Sequence, residues 1–445
     1  MKNREYDIII VGCGVSACFL AYELISNNNK IDILIIEKGD KLNNRKCLKN
    51  DLALQVCQNC KCCNILFGFS GLGKSEGKYN YTTQFGGFLK DIVNKDKTKI
   101  LFERVDSILT YFKKMDRELY NTYNEELSIK AKNCGAKALF SKTHHLGTSI
   151  SFDVYNNIYD FLKDKVSIIF NTEVKYVEKK ANFSIHTEDN IYFSKKVVFA
   201  TGTNSQSVKN LLVNTLSIDS SLYRVDVGLR VETDVKTFEN ILKTIGEFKI
   251  ENNNTYTYCM NPYGYVVEKD LNSHLCADGQ NYLECGTKSP NINFSIFYPF
   301  IFNSEAELSS FLNNLRESCE NSIVVQRLVD LKNNKITSSK ILKLNSIKPS
   351  LNAFNGNIND IFDKDFVNGI LLMIEKIEKI FDIKINEETI LYSYDLKKYS
   401  NKIQIDKTFQ TPISDLYVIG DCSGYTNSLA QAAASGIYLA PSLLK

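Results

Sequence analysis

The chain has 445 residues, 44% of them apolar and 11% aromatic, with a formal net charge of +3. That length exceeds one ordinary core, so two closely joined domains are expected, and the apolar content is ample to bury them. The small charge, with basic and acidic residues interleaved, argues against a nucleic-acid stripe or a polybasic membrane anchor.

A strand is expected at Tyr6–Val11, so near the start that no room remains for a signal peptide. No apolar run approaches the length of a bilayer span. A cytoplasmic protein is therefore expected, with neither membrane nor nucleic acid as partner. After the first strand come Gly12-Cys-Gly14-Val-Ser-Ala17, a helix with apolar residues at Ala17, Leu20, Ala21, Leu24 and Ile25, and a second apolar strand, Ile31 to Glu37. Continuous apolar runs suit buried parallel strands, and the helical spacing suits the crossover between them.

A Cys-rich and then Gly-rich loop covers residues 43–87. Helices are expected near Phe88–Val93 and Val105–Tyr120. A second αβ stretch follows, with a helix over Val154–Lys163. Strands are expected near Ser167–Phe170, Val174–Val177, Phe183–His186 and Val197–Ala200. Residues 208–385 alternate strands and helices without a nucleotide motif and are assigned to a substrate domain. It is inserted between residues 1–207 and 386–445, which returns through the strand Leu416–Ile419.

Gly12-Cys-Gly14-Val-Ser-Ala17 fits G-x-G-x-x-G/A between strand and helix. Gly12 permits the tight turn, Gly14 lets backbone approach a pyrophosphate, and Ala17 allows close helix–strand packing. The helix N-terminus at Val15 and Ser16 offers free N–H groups to phosphate. Glu37, closing the second strand, is placed to accept hydrogen bonds from an adenosine ribose.

Downstream, Val198-Phe-Ala-Thr201-Gly202 resembles the second nucleotide-side motif of glutathione-reductase-type flavoproteins. Leu416-Tyr-Val-Ile-Gly420-Asp421 resembles their C-terminal motif, whose Asp holds the ribityl chain. The small-residue helix Gln431-Ala432-Ala-Ala-Ser-Gly436 is expected to lie close to a flat ring. Further matching stretches are His145-Leu-Gly147-Thr148, Asp226 to Glu232 and Tyr258 to Val267. By these the chain resembles the bacterial FAD-dependent dehydrogenases, NAD(P)/FAD-dependent oxidoreductases of the glutathione-reductase superfamily. The resemblance implies an α/β fold, a Rossmann-like FAD-binding domain with an inserted mixed sheet-and-helix substrate domain. It implies FAD held by Gly12, Gly14, Val15, Ser16, Ala17, Glu37, Lys38, Gly71, Gly73, Val174, Thr201, Gly202, Gly420, Asp421, Gln431 and Ala432. Ser149, Asn261, Tyr263 and Asn427 stand where that family has Asp, Cys, Gly and Arg. Its loop after the cysteines is also richer in Gly and one residue longer, so the family's usual activity is not carried over.

Of thirteen cysteines, Cys47, Cys57, Cys60 and Cys63 are spaced C-x9-C-x2-C-x2-C, with Cys62 nearby. Such steps place thiolates round one centre, as in [4Fe-4S] ferredoxin sites. A zinc site, a dithiol couple and plain buried thiols are the alternatives. An iron–sulfur cluster is the expectation, relaying single electrons to or from the flavin.

Gly68-Phe-Ser-Gly-Leu-Gly73-Lys74-Ser75 also matches the P-loop pattern. Gly77 follows where a helix should run, and no strand ending in a Mg²⁺-binding Asp appears downstream, so the glycines are read as flavin-side backbone. Four catalytic candidates stand out. His145 would serve acid–base work, Arg230 a substrate carboxylate, Cys259 the flavin face, and Tyr425 a hydrogen bond near the ring. A structural histidine, a plain salt bridge and a buried structural thiol are the bland readings of the first three.

The function expected is FAD-dependent oxidation or reduction of a small organic substrate, in the manner of a biosynthetic tailoring step. A second G-x-G-x-x-G for NAD(P)H is not seen, which favours direct oxidation of substrate or electron supply by a ferredoxin. The alternatives are an RNA-modifying flavoprotein akin to folate-dependent tRNA methyltransferases, and a non-catalytic flavin redox sensor.

Overall fold

The computed structural model describes residues 4–28, 30–47, 60, 62–72, 77–114, 119–203, 211–221, 223–271 and 274–445. The chain divides into two compact units. The first takes in Met1–Asn121, Ser141–Ser221 and Tyr399–Lys445; the second takes in Thr122–Phe140 and Leu222–Lys398. Residues 122–140 join the second unit because Lys137–Ala138 pairs with Ile250–Asn252 at the edge of its large sheet. Its closing strand, Ile390–Lys398, carries that unit past residue 385.

The first unit is built on parallel strands. Glu5–Val11 pairs in parallel with Ile33–Ile36 on one side and with Ile191–Phe199 on the other. Ser167–Ile169 extends the first side and Leu416–Val418 the second. In chain order the five run third, second, first, fourth, fifth, and an antiparallel hairpin of Tyr176–Lys179 and Phe183–His186 widens the sheet. Ile33–Ile36 is buried throughout, which is why its sequence is apolar without alternation. All parallel strands point their C-terminal ends the same way, so Gly12, Glu37 and Thr201 emerge at one edge.

Two helices cross over that edge's glycines. Val15–Asn27 follows the first turn, and Leu429–Leu443 packs across it at Gly436. A Cβ on Gly436 would fall 2.2 Å from Ser16 O. The small residues of the last helix therefore serve helix contact first: Ala430, Ala433, Ala434 and Ser435 are all fully buried.

One helix differs from expectation. It spans Lys95–Phe112 rather than starting near Val105, because Asn94 caps it by accepting from Lys97 N (2.9 Å). Residues 73–76, with Gly73, lie outside the described residues. The next element along the chain is a strand, Lys78–Tyr81, paired antiparallel with Lys142–His145. A phosphate-cradling P-loop would run straight into a helix, so the nucleotide-triphosphate reading has no support here.

The described residues of the second unit form an eight-stranded sheet and a separate antiparallel pair, Tyr265–Asp270 with Leu275–Gln280. Tyr223–Asp234 sits near the middle of the large sheet between Asn291–Phe302 and Ile390–Lys398, both antiparallel. The amphipathic helix Lys364–Phe381 buries Phe366, Ile370, Met373 and Ile377 in the same core. No helix among the described residues is long and apolar enough to cross a membrane.

Replacing Gly436 by Leu is expected to destabilise the protein by about 1–3 kcal/mol or more, since the helix pair has no room for a side chain. Urea unfolding measures it; a change under about 0.5 kcal/mol would place the helix contact elsewhere.

Candidate functional site

The glycine turn is organised by a single carboxylate. Glu37 Oε2 accepts from Cys13 N (2.7 Å), and Oε1 accepts from Gly39 N (2.8 Å) and Gly68 N (2.9 Å). Three chain stretches are thereby drawn to the end of the second strand. An ionised carboxylate has roughly four acceptor directions, so one remains for a ligand hydroxyl.

The two turn glycines do different work. Gly12 has φ +96°, and a Cβ there would meet Ala200 O at 2.7 Å. It is required by the protein's own packing. Gly14 has ordinary φ, and among the described residues a Cβ there would meet only Ala200 O, at 3.8 Å, so nothing else described covers that face. Above it opens a cleft of about 830 Å³, entirely within the first unit.

Gly12, Gly14, Val15, Ser16, Glu37, Gly71, Thr201, Gly202, Asp421 and Ala432 line this cleft together. A smaller cavity of about 450 Å³ shares Gly12, Glu37 and Thr201 and adds Lys38 and Val174. Three other expected residues sit behind the wall. Ala17 is fully buried in the helix packing. Gly420 takes φ +68° with Ser16 Oγ 2.4 Å from its would-be Cβ. Gln431 is buried and turned away from the cleft. Its Nε2 donates to Thr82 O (3.2 Å) and Phe85 O (3.0 Å), and its Oε1 accepts from Leu89 N (3.2 Å). It clamps the 82–89 segment.

Sequence reasoning missed much of the opposite wall: Leu66, Phe67, Gly68, Ser70 and Leu72. Arg45 builds it. Its guanidinium donates to the carbonyls of Asn64 (2.8 Å), Ile65 (3.0 Å) and Phe69 (3.0 Å). Burial lowers the Arg45 pKa, and the nearby Glu37 carboxylate opposes that shift. Ser70, at φ +69°, then pairs its backbone with Gly14. Nothing in the sequence marks Arg45 or Ser70. Cys13 also lines the cleft, but burial pushes its thiol well above its ordinary value, which leaves it a neutral wall.

Of the cysteine loop, Cys47, Cys60, Cys62 and Cys63 fall among the described residues. Cys47 and Cys63 are half-buried and Cys60 is exposed, while Cys57 lies outside the described residues. Among the described residues, no group of three or more His, Cys, Asp or Glu side chains is placed to hold a metal ion. The Cys62 thiol instead donates to Lys38 O (3.5 Å), and the Cys63 carbonyl closes a turn by accepting from Leu66 N and Phe67 N. The residues described do not fit an iron–sulfur cluster or a zinc ion.

The four catalytic candidates fall in different places. His145 is half-buried in a strand, in register with Lys78, and does not line the cleft. Tyr425, half-buried, has its ring 5.1 Å from Lys402 Nζ, and its carbonyl accepts from Phe88 N (2.6 Å). Arg230 and Cys259 belong to the second unit and meet there, Arg230 Nη2 donating to Cys259 O (2.9 Å). Arg230 is wholly buried and also bonds Asn293 and Ser295, with Asp395 3.6 Å away. Burial and the neighbouring Asp278 push the Asp395 carboxyl up to about 6, against the pull of Arg230. This guanidinium is an interior tie and has no side exposed to a substrate.

No protein-family profile matches the sequence, and no curated protein matches it. Among solved structures, the chain is similar to glycine oxidase from Geobacillus kaustophilus, at 12% identity and TM-score 0.41, covering 99% of this chain and 95% of that one. It is similar to the quinol fumarate reductase FrdA of E. coli at 13% identity and TM-score 0.43, covering 100% and 70%. It is similar to CtdE in complex with FAD at 11% identity and TM-score 0.36, covering 98% and 82%. Likenesses this loose assign neither reaction nor ligand, which rest on the chain's own geometry.

At the smaller cavity, Lys38 Nζ lies 2.7 Å from Glu173 Oε1 and 4.9 Å from the Phe67 ring centroid. Burial would raise the Glu173 carboxyl, but hydrogen bonds from Lys175 and Lys38 hold it down to about 2. A depressed carboxyl contributes stability that is present above its ordinary value of 4.5 and lost as pH falls from there toward 2. Denaturant melts across that interval are expected to show a shallower acid loss for Glu173→Gln than for the unmodified chain. Parallel curves would show that the pair contributes nothing.

Proposed function

We propose that the chain is an FAD-dependent oxidoreductase acting on a small organic substrate. One observation carries the reading. Four stretches far apart in sequence, around residues 12–16, 66–72, 200–203 and 421–432, line one cleft, with a bare-backbone glycine at its floor. A nicotinamide dinucleotide needs the first βαβ unit; a site that also recruits Thr201-Gly202 and Asp421 suits a longer cofactor.

In this reading the Gly12–Ser16 turn and the helix N-terminus hold the pyrophosphate through backbone N–H groups. Glu37 accepts from the adenosine ribose with its remaining acceptor direction. Asp421, whose Oδ1 accepts from Thr426 Oγ1 (2.6 Å), orients a hydroxyl-bearing chain. Bound FAD supplies hydride transfer, and the protein's share is orientation and exclusion of water. Lys38 is occupied by Glu173 and packs near Phe67, so it flanks the adenosine end as a wall. An iron–sulfur relay forms no part of this reading.

The test is to purify the protein anaerobically, release its ligand by heat and identify it by chromatography. FAD at about one per chain is expected, together with the visible absorption of oxidised flavin. Recovery of NAD, or failure to take up added FAD, would overturn the proposal.

A further inference from the structure

Residues 331–359 contain five lysines and no aspartate or glutamate, in a chain that has 51 acidic residues. The whole-chain charge of +3 conceals this local excess. The same stretch holds apolar side chains out to solvent: Ile336, Ile341, Leu344 and Phe354. Leu344, 78% exposed, is the most exposed large apolar side chain among the described residues.

The run lies in the second unit, at one edge of its large sheet. Phe354–Asn355 is the outermost strand on that side, paired in parallel with Val324–Arg327. Asn355 fastens the neighbouring segment to this edge. Ser339 Oγ donates to its Oδ1 (2.6 Å), and its Nδ2 donates to Thr337 O (2.6 Å). Ser338 then caps the short helix Ser339–Leu344 by accepting from Ile341 N (3.3 Å). Asn345 holds the far end, its Nδ2 donating to Ile347 O (2.8 Å) and Glu388 O (2.7 Å).

Within that helix only Leu342 is buried. At about 100° per residue, the direction opposite Leu342 falls between Lys340 and Leu344, with Ile341 and Lys343 on the flanks. The outward face therefore mixes two ammonium groups with two aliphatic side chains. The carboxylates beside it are engaged: Asp330 with Arg327 (2.8 Å), Glu387 with Lys332 (2.8 Å) and Glu388 with Ser346 N (2.8 Å). Lys340 and Lys343 form no ion pair among the described residues, and Lys348 Nζ donates to Lys343 O (2.7 Å).

The chemistry of this face selects its partner. A second copy of the chain would set lysine against lysine, and like charges face to face are unfavourable. Nucleic acid would meet the lysines, but aliphatic side chains offer its bases neither a hydrogen bond nor a stacking plane. A bilayer with anionic headgroups meets both needs. Its phosphates take the ammonium groups, and the acyl boundary takes the apolar side chains between them. Six helical residues are far too few to span, so the contact is with one leaflet.

We propose that this edge of the second unit, led by the helix Ser339–Leu344, docks on a membrane surface that bears anionic lipid. Such docking is independent of the cofactor reading. It replaces the expectation, drawn from the small net charge, that a membrane is no partner.

The test is co-sedimentation of the full chain, as purified, with vesicles of phosphatidylcholine alone or mixed with about 30% phosphatidylglycerol. Binding to the mixed vesicles is expected to be at least about tenfold tighter than to the neutral ones, and to fall when salt is raised from about 0.1 to 0.5 M. The double variant Lys340→Glu, Lys343→Glu is expected to bind at least about tenfold more weakly, at about fivefold per lysine. Leu344→Ser is expected to weaken binding by about tenfold, because its apolar side chain no longer enters the acyl boundary. All three positions are exposed, so melting temperatures are expected to stay within about 2 °C of the unmodified value. Equal binding to neutral and anionic vesicles, or variants that bind as well as the unmodified chain, would overturn the proposal. So would an absence of vesicle binding together with self-association that Leu344→Ser abolishes, which would assign the face to a second copy.

Discussion

The first unit depends on one buried carboxylate. Glu37 gathers backbone N–H groups from the glycine turn, from its own strand exit and from the loop that follows the cysteines. Charge-assisted hydrogen bonds of this kind are stronger than neutral ones, and three on one side chain set the spacing of the stretches it joins. Gly39 and Gly68 meet beneath it so closely that a Cβ on Gly39 would lie 2.4 Å from Gly68 N. Arg45 then fixes the far side of that loop by its three carbonyl contacts. The cleft is what remains between these two ties and the helix crossing at Gly436.

That arrangement separates residues that shape the cleft from residues that face it. Gly12, Gly420 and Gly436 are small because protein atoms crowd them. Gly14 is small although, among the described residues, only Ala200 O comes within 4 Å of a would-be Cβ. Gln431 and Arg230, both attractive as ligand contacts by residue type, are consumed by interior hydrogen bonds.

The opening βαβ unit was legible in the sequence because its signals are local. Apolar runs mark buried parallel strands, and the glycine spacing marks the turn between strand and helix. Thr201-Gly202 and Gly420-Asp421 were legible only through a resemblance to known flavoproteins, since each is too short to mean anything alone. The start of the helix at Lys95 turned on a single cap, Asn94, which the apolar periodicity from Val105 onward obscured. The assignment of residues 122–140 to the second unit depends on a two-residue edge strand, Lys137–Ala138, that no pattern announces. The cysteine spacing by itself could not say where Arg45 and the Cys63 turn direct the chain.

The central claim is that the bare face of Gly14 is where the cofactor's pyrophosphate lies against the backbone. Gly14→Val tests it directly, by thermal melting of the flavin-free protein and by FAD titration of the same sample. The protein itself leaves room for the side chain, so the melting temperature is expected to stay within about 2–4 °C of the unmodified value. FAD affinity is expected to fall by about a hundredfold or more, roughly 2.7 kcal/mol. Unchanged affinity in a protein that melts normally would contradict the account.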